Sequence, residues 1–218
     1  MQIALLTLLH ILIPVYWLGG DLGAFYGSRF LVDPKRSVSE RMLALKILND
    51  IDMAPRTALI LALPTGLTLA VVKSWLFISP ILMLLMWILA FAWLGLAWLL
   101  HVRHGGPSES LRKLDLAVRY LIFIGLLLAG GACLIKFIDV PIFIGFKMIA
   151  LSLCVLMGLI VRRMLKPLGP AIAEMKMDGP SPDSDQAIAN VISQTQPAVL
   201  VIWGLVLVAS YLGLATPL

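Results

Sequence analysis

Charged residues are scarce in this chain, and their scarcity excludes an ordinary soluble domain. Only 13% of the 218 residues are charged and 61% are hydrophobic, against about 25% and about 45–50% in soluble globular proteins. The apolar stretches also lack the polar stripe of an amphipathic helix. They continue on every helical face for about 20 residues, the length that crosses a ~30 Å hydrocarbon layer. Lipid is therefore the expected solvent of most of the chain.

Cysteines and catalytic signatures are also few. The two cysteines, Cys133 and Cys154, do not form a CxxC pair, so we interpret them as small buried residues, with a disulfide between them as the alternative. The sequence has no G-x-x-x-x-G-K, H-E-x-x-H, G-x-S-x-G or G-x-G-x-x-G motif, so nucleotide hydrolysis, zinc proteolysis and serine hydrolysis have no support. Nucleic acid is not an expected partner, because the basic loops lack interleaved aromatic residues.

Six apolar runs are present, and they predict an all-α, polytopic transmembrane helical bundle that forms one domain over residues 1–218. The first run has no lysine or arginine before it and lacks a cleavage signature, so we expect a retained helix and not a signal peptide. We place the spans near Gln2–Gly20, Thr57–Val72, Phe77–Leu100, Tyr120–Ile135, Pro141–Val161 and Ala198–Leu214.

The basic residues are distributed unequally between alternate loops. Six lie between spans one and two, four between spans three and four, and four between spans five and six, whereas the other two loops carry only Lys73 and Lys136. Lysine and arginine near span ends stay in the cytoplasm. We therefore expect both termini outside the cytoplasm of a bacterial-type inner membrane.

Two segments of the basic loops have recognisable character. The loop at about 34–56 is predicted to be helical, with Ser37 as its N-cap in the stretch SVSE. The segment at about 176–186 is rich in proline, glycine, serine and aspartate, which predicts a flexible cytoplasmic insert. Asp21, at the end of span one, is expected to pair with an arginine such as Arg29 or Arg56, with a proton relay as the alternative.

A polar side chain at membrane depth is a functional candidate. At about 1.5 Å per residue, His10 lies about 12 Å and Lys147 about 9 Å below the same outer face. The two residues, on distant helices, are therefore expected to line one cavity. The alternatives are a lysine that reaches toward the interface and a histidine bonded to a neighbouring helix.

Methionine offers a soft ligand at a similar depth. Met83 and Met86 are three residues apart on span three and hence on one helical face. Their sulfurs suit haem iron or Cu(I), although methionine also fills apolar space. His101 and His104 lie at the opposite membrane face, so neither is expected to share an iron with His10. We expect both to be interfacial, with a second cofactor site as the alternative.

The first span, with His10, Trp17 seven residues later and Gly20 three beyond, resembles the opening helix of the HemJ-type protoporphyrinogen oxidases. It is also similar to the related CopD copper-resistance membrane proteins. In those families a lysine of a later helix joins the histidine, and Lys147 matches it here. The resemblance implies that His10, Trp17, Gly20 and Lys147 contribute to a cofactor site, with haem b as the cofactor or copper as the alternative.

The sequence is compatible with three functions. The first is a haem b membrane oxidoreductase or electron-transfer protein that passes electrons between a substrate and the quinone pool. The second is a copper-handling permease in which His10, Met83 and Met86 form the metal site. The third is a structural membrane subunit that anchors a partner or forms a homo-oligomer. In each case the lipid bilayer is the surrounding partner.

Overall fold

The structure is a computed structural model that describes residues 2–102 and 108–216. Every regular element in these ranges is an α-helix, as the apolar runs predicted. The helices are α1 (Gln2–Val32), α2 (Val38–Ile51), α3 (Met53–Val72), α4 (Pro80–Val102), α5 (Glu109–Leu134), α6 (Ile142–Met164), α7 (Leu168–Asp178) and α8 (Pro182–Ala215).

Six of the helices in the described ranges are long and apolar enough to cross a membrane: α1, α3, α4, α5, α6 and α8. This confirms the predicted bundle of six spans. The spans pack as a ring in which α1 contacts α3, α3 contacts α4, and so on through α5, α6 and α8 back to α1. We call the end where α1 begins and α8 ends the terminal end, and the end where α2 and α7 lie the basic end.

The core of the ring is formed by small and medium side chains from α1, α3, α6 and α8. Trp17 packs there against Ala58, Cys154 and Val206. Large apolar side chains such as Leu85, Leu89 and Leu128 remain exposed on the outside of the bundle. Because no water lies in the hydrocarbon layer, this inside-out distribution suits a helix bundle in lipid.

The basic end is closed by the two shorter helices. Ser37 caps α2 through a capping box with Glu40, as predicted from the stretch SVSE. The guanidinium of Arg41, in α2, is fully buried; its Nε donates to the carbonyl oxygen of Leu31 at 2.8 Å, and its Nη1 donates to Asp185 Oδ1 at 2.5 Å. Arg41 thereby joins the end of α1, α2 and the start of α8.

Two expectations for this end differ from the structure. Residues 182–186, which composition assigned to a flexible insert, form the first turn of α8, where Ser181 caps the helix and Asp185 is held by Arg41. Asp21 has no arginine partner among the described residues; it accepts a hydrogen bond from Trp203 Nε1 at 3.2 Å. Of the two expected partners, Arg56 pairs with Asp52, one helical turn before it, and the Arg29 guanidinium lies 5.8 Å from the centre of the Tyr26 ring.

The two cysteines follow the prediction of small buried residues. Cys133 and Cys154 are both buried and free. Cys133 packs close to Gly145, where α5 and α6 approach each other, and Cys154 belongs to the core beside Trp17.

Candidate functional site

A cavity of about 240 Å³ lies between α1, α3, α6 and α8 in the half of the bundle nearer the terminal end. His10 of α1 and Lys147 of α6 both line it, together with Lys73 at the end of α3. The rest of the wall is mainly apolar and aromatic, with Trp17, Trp75 and Phe143 among its residues. The structure thus brings one imidazole and two ammonium groups to a single apolar space.

The imidazole of His10 is held in one tautomer by Thr65. The Thr65 hydroxyl donates its single proton to a carbonyl oxygen of its own helix, with Leu61 O at 2.7 Å as the nearest acceptor. His10 Nδ1 lies 2.9 Å from the same hydroxyl oxygen, so Nδ1 carries the proton and donates it to Thr65. Nε2 is therefore left with a lone pair, as in histidines that ligate a metal through Nε2.

Two glycines make room for the two polar side chains. A Cβ atom at position 66 would lie 3.1 Å from His10 Cε1, and one at position 213 would lie 2.6 Å from Lys147 Nζ. Gly66 follows Thr65 directly, so one turn of α3 both binds and accommodates the imidazole. On α8, Ala209 and Ser210 line the cavity together with Gly213. The ammonium group of Lys147 therefore meets α8 where its side chains are small.

The charge in the cavity is one-sided. Lys73 and Lys147 line it, and no aspartate or glutamate is found among the described residues of its wall. The Lys73 ammonium lies 4.6 Å from the centre of the Trp75 ring, a cation–π contact. An unpaired ammonium at membrane depth is costly. An anionic group in the cavity would offset that cost.

The other residues singled out from the sequence have different surroundings. Trp17 lines the cavity and is almost fully buried. Gly20 packs on α3, where a Cβ atom would lie 2.6 Å from Ala54 Cβ, and it does not line the cavity. Met83 Sδ lies 3.5 Å from the Thr68 hydroxyl oxygen, whose proton has a nearer acceptor in Pro64 O at 2.7 Å. Neither it nor Met86 is among the residues of the cavity wall.

Sequence patterns alone did not identify several residues of the site. Thr65, Gly66 and Gly213 were indistinguishable from other small residues of apolar helices, and Lys73 counted only as a loop charge. Two sulfur atoms of the wall, those of Met148 and Cys154, also belong to the site. The pair Thr65-Gly66 indicates a histidine-binding position only once it is known that α3 packs against His10 of α1.

His101, at the basic end, is remote from this site. His101 Nε2 lies 3.1 Å from Asp50 Oδ1 in the structure, in keeping with an interfacial position. His104 lies outside the described residues. In the described ranges, no group of three or more histidine, cysteine, aspartate or glutamate side chains could hold a metal ion. Searches of protein-family models, curated proteins and solved structures found no match to this chain.

Proposed function

We propose that the protein is a haem b-binding membrane oxidoreductase or electron-transfer protein, similar to the HemJ-type enzymes, that passes electrons between a substrate and the quinone pool. One observation carries the proposal. His10 Nδ1 lies 2.9 Å from the Thr65 hydroxyl oxygen, whose own proton points to Leu61 O, at a cavity that two lysines also line. This geometry assigns Nδ1 as a hydrogen-bond donor to Thr65 and leaves Nε2 with a lone pair for a metal.

The chemistry of the wall fits a haem. His10 would supply a nitrogen ligand to the iron, Lys73 and Lys147 would supply positive charge for carboxylates, and Trp17, Trp75 and Phe143 offer flat apolar surfaces. The cavity of about 240 Å³ is below the roughly 300–1,000 Å³ of pockets that enclose a drug-sized ligand. A whole macrocycle therefore requires the apolar side chains around the cavity to move apart.

Each residue of this site has a defined task. A bound haem supplies reversible one-electron chemistry. Thr65 orients the imidazole, His10 Nε2 would hold the iron, and Lys147 would bind a carboxylate of the haem or of an anionic substrate. The aromatic wall excludes water, which strengthens these charge interactions.

The test is the visible spectrum of the protein purified after expression with haem supply. The wild-type chain is expected to show a Soret band and an α band on reduction. His10→Ala should abolish both bands, and Lys147→Met should weaken haem binding about tenfold through loss of one charge-assisted hydrogen bond. His101→Ala is the control, because His101 lies at the basic end and should leave the spectrum unchanged. Full haem content in His10→Ala protein would overturn the assignment.

Copper is the second candidate, and the size of the cavity favours it. A single ion fits about 240 Å³ without rearrangement, and Met148, next to Lys147 in the sequence, lines the wall with His10. Imidazole nitrogen and thioether sulfur are suitable ligands for Cu(I). Metal analysis distinguishes the candidates. The permease is supported if the purified protein contains copper in proportion to protein, shows no Soret band, and loses the copper in His10→Ala.

We further propose the orientation that the basic loops predict, with the basic end in the cytoplasm and the His10 cavity opening toward the outer half of a bacterial-type inner membrane. The unequal distribution of lysine and arginine supports it. In this orientation a ligand reaches the cavity from the outer side.

A further inference from the structure

A second cavity, of about 710 Å³, lies at the basic end between α2, α4, α5 and α6, far along the bundle from His10. Among the residues that the structure describes, its wall contains five lysine and arginine residues and two carboxylates, Asp50 and Asp115. Positive charge is therefore in excess. The basic residues are Lys46, Arg56, Arg112, Arg119 and Arg162.

Asp115 fixes two of these arginines. Its side chain is 2% exposed, and its Oδ2 accepts from Arg119 Nε at 2.9 Å and from Arg162 Nη1 at 2.7 Å. Its Oδ1 accepts from Trp93 Nε1 at 3.1 Å. One buried carboxylate thus orients guanidinium groups from two helices, α5 and α6. Only one of the two positive charges is compensated, and each guanidinium keeps further N–H donors.

The remaining wall is apolar. α2 contributes Met42 and Leu45, and α4 contributes Ala97, Leu100 and Val102. A cavity with oriented guanidinium groups on one side and aliphatic side chains on the other matches a ligand with an anionic head and an apolar body. Guanidinium groups recognise phosphate oxygens through paired hydrogen bonds, and basic pockets between membrane helices bind acidic lipid head groups.

We propose that this cavity binds a phosphate group, carried by an acidic phospholipid or by a soluble phosphate compound. Arg112 and Arg162 bind the phosphate oxygens directly, and Asp115 is a positioning residue that acts through Arg119 and Arg162. The proposal is independent of what the His10 cavity holds.

Two adjacent pairs of residues provide matched variants. Arg112 and Arg162 line the cavity, whereas their neighbours Lys113 and Arg163 do not, although all four side chains are exposed. Arg112→Gln and Arg162→Gln should each weaken binding about tenfold, the effect of one charge-assisted hydrogen bond. Lys113→Gln and Arg163→Gln remove the same charge outside the cavity and should change binding less than about twofold, because a charge without direct contact to the ligand is screened.

The full chain in detergent micelles is titrated with phosphatidylglycerol, with phosphatidylcholine as the zwitterionic control, and separately with inorganic phosphate. Native mass spectrometry counts bound lipid, and competition measures phosphate. A lipid site is identified if the protein prefers phosphatidylglycerol to phosphatidylcholine and this preference is lost in Arg112→Gln and Arg162→Gln. A site for a soluble compound is identified if these two variants lose binding of inorganic phosphate and no preference for phosphatidylglycerol is seen. Equal effects of all four variants, or binding of neither probe, would overturn the proposal.

Discussion

The protonation of His10 depends on the hydroxyl group of Thr65, whose own proton is donated to a carbonyl oxygen of α3. Thr65 donates to α3 and accepts from the imidazole, so it acts as an acceptor for histidine and keeps Nδ1 protonated. A hydroxyl with a free proton could have stabilised either tautomer. The nearest carbonyl oxygens of α3 therefore help to decide which imidazole nitrogen is protonated.

Thr65→Val should release this control while preserving the shape of the side chain. The variant leaves the Nδ1 proton without its acceptor, and we expect ligand affinity at His10 to fall about 10- to 100-fold. Nitrogen-15 spectra of histidine-labelled protein check the tautomer directly, and titration with haem or Cu(I) checks the affinity. Thr65→Ser is the control and should behave as wild type. An unchanged tautomer in the valine variant would contradict the assignment.

At the scale of elements, the basic end is joined by a buried arginine. Arg41 of α2 has no exposed surface in its side chain, and its ion-pair partner Asp185 belongs to the first turn of α8. A buried charge that loses its partner is strongly destabilising, whereas the intact pair contributes little net stability. The pair therefore favours one arrangement of α1, α2 and α8.

Asp185→Ala should lower the free energy of unfolding by about 3 kcal/mol, because it leaves the Arg41 charge buried and uncompensated. Thermal unfolding in detergent, followed by circular dichroism, measures the change. Asp183→Ala is the matched control: Asp183 is exposed in the same first turn of α8, and its loss should cost less than about 1 kcal/mol. Equal stabilities of the two variants would show that the pair does not hold the helices together.

Features that depend on neighbouring residues could be predicted from the sequence, whereas contacts between distant residues could not. The spans and the Ser37 capping box were predictable, because an apolar run and a cap are local patterns. The Arg41–Asp185 pair joins residues 144 apart, and Asp21 meets Trp203 across 182. No local pattern specifies such partners. The same limit applies to the site, where depth suggested His10 and Lys147 but could not indicate Thr65, Gly66 or Gly213.

At the scale of the whole molecule, the ring of six spans places the two cavities at opposite ends of one bundle. The His10 cavity lies toward the terminal end and the arginine-lined cavity at the basic end. Ligands of the two sites would therefore approach from opposite faces of a membrane.

The orientation of the ring is testable with single cysteines. Phe137→Cys, in the exposed connection between α5 and α6, should react with a membrane-impermeant maleimide applied to intact cells. Asp183→Cys, at the basic end, should react only after the membrane is opened. The native cysteines Cys133 and Cys154 are buried, so the unmodified protein should react weakly and serves as the background measurement. The reverse pattern would place the His10 cavity on the cytoplasmic side.

The depth of Lys147 has an electrical consequence. In the proposed orientation, a ligand that reaches it from outside crosses roughly a third of the membrane field, since the lysine lies about 9 Å into a ~30 Å layer. One elementary charge then gains or loses about 0.7 kcal/mol per 100 mV, about threefold in affinity. An interior-negative potential weakens the binding of an anion and strengthens that of Cu(I). The sign of the voltage dependence therefore separates an anionic ligand from a copper ion without any spectrum.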